Sequence, residues 1–148
     1  MTDTAMWRKY LSLLESLGGA LEELTGMEQE KTKAVSKGDL PAVEELMKRE
    51  QVISLSLRGL EQRRERMLRE MELAGVPLRE LAGHAPEELY QETKDAAETL
   101  RQKYDVFQAA SEVARHTLEC NLRAIEKMQK AQDAPPEEAQ PHQADFRV

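Results

Sequence analysis

The chain is 148 residues long, with a formal net charge of −7, 33% charged side chains, 40% hydrophobic and only 4% aromatic. A balance this acidic speaks against gripping nucleic acid, which needs a basic footprint, and against insertion at an anionic membrane surface. The single cysteine, Cys120, has no partner for an internal disulfide, and no apolar run reaches the roughly 18 residues of a membrane span.

The first predicted helix covers about 4–37, with caps offered between Thr2 and Thr4. Trp7, Tyr10, Leu14, Leu17, Leu21 and Leu24 recur at steps of three and four. Met6, Leu13, Ala20 and Met27 widen that seam into a stripe fit to face two neighbours. Gly18-Gly19 costs about 1 kcal/mol per glycine relative to Ala, but the pattern runs on at both sides, so the helix is expected to continue through it. No basic, apolar leader precedes it, so no secretory signal is expected and the cytoplasm is the expected compartment.

Gly38-Asp39-Leu40-Pro41 ends one helix and starts the next. Asp39 is a strong N-cap, and Pro41 falls in the first turn, where its missing N–H costs little. A second helix over 40–74 carries Val43, Leu46, Ile53, Leu57, Leu60, Met67 and Met71 on one heptad seam, with Glu50 and Arg64 filling the two positions between. So short a connection makes the two helices an antiparallel hairpin. Aspartate at Leu46 or Leu60 is expected to unfold it. Gly75 is the expected left-handed residue after this helix, with Pro77 beyond it.

The segment 73–85 interrupts the helical pattern, with a turn or two of helix expected near Pro77–Ala82. The third helix is expected over 86–131, led by Pro86, Glu87 and Glu88. Leu100, Tyr104, Phe107, Ala114, Leu118, Ile125 and Met128 form its seam, with Ser111 and Asn121 as polar members. Val106, Ala110, Val113, Thr117, Cys120 and Ala124 form a second stripe beside it. Residues 1–131 are thus read as one helical domain. The Pro-rich stretch 132–148 is expected to be disordered.

Catalytic signatures are missing. There is no Gly-rich phosphate loop, no Cys-x-x-Cys and no His-Glu-x-x-His. Glu112, His116 and Cys120 share a helix face at metal-ligand spacing but lack a fourth ligand, so no metal and no cofactor are expected. The many carboxylates sit among Lys and Arg at helical spacing and read as a solvated face. The expected class is therefore a helical interaction protein and not an enzyme.

The order of parts resembles the FlgN family of flagellar type III export chaperones. The likeness rests on Glu28-x-Glu30-x-x-x-Ala34, then Gly38-Asp39-Leu40-x-x-Val43-x-x-Leu46, then Glu50, Leu60-Glu61-x-Arg63-Arg64 and finally Asn121-Leu122-x-x-Ile125. The resemblance implies a cytoplasmic chaperone without ATPase activity. It would bind helical terminal segments of hook–filament junction proteins and deliver them to the export apparatus, through a region toward the C-terminus.

The expected fold is therefore all-α: a long antiparallel helical hairpin with a third long helix packed along it, a coiled-coil-like three-helix bundle. The third helix, longer than either arm, is expected to run back along the hairpin. From about Leu118 it should pass the Gly38 turn with no partner from this chain. Val113, Leu118, Cys120, Asn121, Leu122, Ile125 and Met128 are the expected cargo-binding residues. The alternative is a structural coiled-coil scaffold that homo-oligomerises through the same surface.

Overall fold

The computed structural model describes residues 3–133; residues 134–148, where most of the expected disordered tail falls, lie outside it. Three long helices carry the fold: α1 (Thr4–Lys37), α2 (Leu40–Glu70) and α3 (Tyr90–Asp133). Two 3-10 segments, Leu78–His84 and Glu87–Leu89, bridge α2 to α3. Among the described residues there is no strand, and the all-α expectation holds.

The helix ends follow from local chemistry. Asp3 caps α1 by accepting from the Ala5 N–H at 3.2 Å. At the other end Gly38 takes the left-handed conformation, φ 72°. Its N–H reaches the Val35 carbonyl while that of Asp39 reaches Ala34, the paired closure of a Schellman cap. Asp39 then accepts from the Ala42 N–H at 3.2 Å and opens α2.

α2 stops four residues before the expected end. The left-handed residue after it is Glu72, φ 60°, although Gly75 is left-handed as well. The Glu72 N–H bonds the Arg69 carbonyl and the Leu73 N–H bonds Leu68 at 2.7 Å, so a second Schellman cap forms without glycine. Burial accounts for the strained choice. The early stop turns Met71 and Leu73 into the main apolar cluster beside Leu68. Pro86 is likewise extended rather than helical, with ψ 143°, so α3 proper begins at Tyr90.

The hub of the bundle is α1, which packs on both α2 and α3. Its buried residues run the whole length from Trp7 to Val35, whereas α2 buries only Val43, Leu46 and Leu68. Leu60 is half-buried. The main cluster gathers Trp7, Tyr10, Leu14, Leu17 and Leu21 of α1 with Leu68, Leu81, Leu89 and Leu100. A smaller cluster at the hairpin tip holds Ala34, Val35, Val43 and Leu46, with Leu118 of α3 packed against it.

Three contacts give the direction of α3. The Trp7 indole donates to Thr93, Lys103 pairs with Glu22 at 2.9 Å, and Leu118 meets the tip cluster. α3 therefore runs parallel to α1 and returns along the hairpin, as the sequence predicts.

The Trp7–Thr93 contact closes the base of the bundle. Trp7 Nε1 donates to Thr93 Oγ1 at 2.7 Å, and that hydroxyl donates to the Leu89 carbonyl at 2.7 Å. Both side chains are fully buried. Thr93→Val keeps the shape but strands the indole N–H, which costs about 1–3 kcal/mol. A fall in melting temperature is expected, read by the far-UV signal, while Trp7→Phe added to Thr93→Val should recover part of it.

Candidate functional site

Leu118 lies level with the last turns of α1, so the tip is passed about one turn later. From Leu122 to Gln132 every residue of α3 is exposed, whereas Asn121 is half-buried. The twelve residues Leu122–Asp133 thus extend about 18 Å beyond the hairpin at 1.5 Å per residue. Leu122, Ile125 and Met128 are 47%, 42% and 62% exposed. The overhang starts one turn later than expected. Leu118 has a partner within the chain, and this corrects its assignment to the free surface. Its side chain packs against the tip cluster of Ala34, Val35, Val43 and Leu46.

The remaining expected residues divide between two faces. At about 100° per residue, Ile125 continues the bundle-facing seam of Leu118, with Leu122 to one side of it and Asn121 and then Met128 to the other. Val113 and Cys120 lie more than about 100° round from Leu118. Both are exposed, as is Val106 on the same stripe. Val106, Val113 and Cys120 therefore face away from the hairpin, whereas Ala110 and Thr117 of the same stripe are half-buried. Asn121 donates from Nδ2 to the Thr117 carbonyl at 2.9 Å, one turn back on its own helix.

Of the other polar seam residues, Arg64 and Glu50 are paired. Arg64 donates to Glu61 at 3.3 Å and reaches the Tyr10 hydroxyl at 3.5 Å, and Tyr104 of α3 donates to Glu61. Burial, and then the hydrogen bond to Glu61, push the Tyr104 phenol up to about 12. Glu50 meets Lys31 of α1, with Nζ to Oε1 3.0 Å. Lys31 also holds Glu28 at 3.1 Å. Glu28 and Lys31 continue the first-helix seam at steps of four and three after Leu24, a signal that the apolar pattern alone passes over. Two carboxylates and one ammonium thus lie in the α1–α2 interface near the tip cluster.

Burial, and then the contact with Glu50, raise Glu28 from the usual 4.5 to about 7. The Lys31 hydrogen bond goes to Glu50 Oε2 at 3.1 Å, so the buried Oε1 has the ion contact but no aligned donor, and Glu28 when protonated is a donor within the same set. For Lys31, burial pulls the ammonium down, but the bonds to Glu50 and Glu28 outweigh it and leave it raised. The unfolded chain releases the Glu28 proton near 4.5 and the folded chain near 7, so stability is lost as pH rises through that window. Glu28→Gln keeps an acceptor for Lys31 and removes the titration. It is expected to melt about 3–8 °C above the parent at pH 8 and to match it near pH 5. Melting curves of both proteins at the two pH values measure the difference.

His116 Nε2 and Cys120 Sγ stand 3.6 Å apart on the outer face. Among the described residues no group of three His, Cys, Asp or Glu side chains converges on one point. No helix among them is long and apolar enough to cross a membrane. What the arrangement offers is an unpartnered helix end with an apolar face.

A family model described as FlgN protein matches residues 6–136. No curated protein and no solved structure matches the chain significantly.

Proposed function

The chain belongs to the FlgN family, a family of flagellar export chaperones, and we propose on that premise that its cargo is the hook–filament junction proteins. It holds their helical terminal segments in the cytoplasm before type III export and hands them to the export apparatus. The observation that carries this reading is the overhang of α3, where Leu122, Ile125 and Met128 stand exposed beyond the last hairpin contact. An apolar helix end in water associates or frays, and a cargo helix laid against it removes that surface from solvent.

Binding of this kind needs no nucleotide and no metal. The bundle holds the end of α3 at a fixed distance from the tip, so the surface is presented in advance and less order is lost on association. No observation favours the scaffold alternative.

Titration calorimetry of the full chain with a purified hook–filament junction protein tests the proposal. Saturable binding tighter than about 10 μM is expected. A flat titration, with the chain folded and self-associated, would leave the scaffold alternative standing instead.

A further inference from the structure

We infer that the partner seated on the α3 overhang is a pair of helices and not a single one. The inference rests on the cargo-binding reading of that overhang and concerns the shape of what it takes.

The argument is the width of the uncharged face. Leu122 and Met128 lie about 120° apart around the helix axis, with Asn121, Ile125, Gln129 and Gln132 between them. Arg123, Glu126, Lys127 and Lys130 occupy the other side. The seam of a two-stranded coiled coil is narrower than this, and a face this broad belongs to a helix set between two neighbours.

Inside the bundle the same face already meets two helices. Leu118 packs on Ala34 and Val35 of α1 together with Val43 and Leu46 of α2, and Tyr104 bonds Glu61 of α2 while Thr93 bonds Trp7 of α1. Ile125 follows Leu118 by seven residues and repeats its register. The hairpin ends at Gly38, but the face that it covers does not end there.

Two partner helices placed end-on over the Gly38 turn continue the three-helix arrangement, with α3 as the strand shared by both layers. Each needs about three turns to cover the overhang. Their contacting residues should be aliphatic or small and uncharged, to match a face without charge.

Photocrosslinking distinguishes the cases. A benzoylphenylalanine is placed at Leu122 in one protein and at Met128 in another. Each is irradiated with a full-length hook–filament junction protein and the crosslinked peptides are mapped. The two positions are expected to capture two cargo segments that do not belong to one continuous helix. Capture of the same helical turn from both positions, or of a second copy of this chain, would overturn the pair. A complex that forms but crosslinks from neither position removes the overhang as the cargo site and the pair with it. No complex at all refutes the cargo assignment itself and this inference together.

Discussion

Leu21→Asp is expected to leave the chain unfolded at room temperature. Leu21 is a fully buried member of the main cluster, on the helix that touches both others. Truncating a buried leucine costs about 3–5 kcal/mol, and an unpaired carboxylate in the space it leaves adds several more. Domains of this size are stable by about 5–15 kcal/mol, so the loss is comparable to the whole. Leu60→Asp should be far milder, because Leu60 is half-buried and its new carboxylate can turn to water. Far-UV circular dichroism and urea melts would rank the two. A native melting curve for Leu21→Asp would refute the central place of α1, and equal damage from Leu60→Asp would refute the ranking.

That contrast marks where the sequence was legible. Helix count, the hairpin and the return of α3 follow from heptad spacing and from Gly38-Asp39, because capping and periodicity are local properties. The weight carried by each helix does not follow from spacing. α2 has as regular a seam as α1, but most of it is only half-buried, since α3 is shared with α1 and leaves α2 at one side. The early end of α2 is equally unreadable. Gly75 looks like the natural stop, and only the tertiary burial of Met71 and Leu73 makes a left-handed Glu72 worth its strain.

The surface of α3 was half legible for a similar reason. Length arithmetic on the three helices gives an overhang, and the structure has one. The same arithmetic cannot give rotation, so Val113 and Cys120 fall on a face that the hairpin never approaches, and Leu118 falls on the tip. The Glu28–Lys31–Glu50 set was missed because charged residues on a seam look like interruptions. Spacing after Leu24 puts both α1 members in line, and Glu50 holds a seam position of α2 opposite them.

Leu122→Glu combined with Ile125→Glu is expected to weaken cargo binding by at least about 100-fold while leaving the fold intact. Both side chains are substantially exposed in the free chain, so the new carboxylates remain solvated and the melting temperature should stay within about 2 °C of the parent. In the complex both positions would be covered, and each carboxylate would be taken from water without a counter-charge. A penalty of about 1.5–3 kcal/mol each gives roughly 100- to 10,000-fold in affinity. Leu118→Glu does not serve this purpose, because its side chain reports on the tip cluster. Arg123→Glu, on the charged side of the same turns, should leave affinity within about threefold and serves as the control for net charge. Val113→Glu with Cys120→Glu probes the outer stripe in the same titration against a junction protein. If that pair abolishes binding and Leu122→Glu with Ile125→Glu does not, cargo lies on the outer face of α3 and the continuation of the bundle seam is not the site.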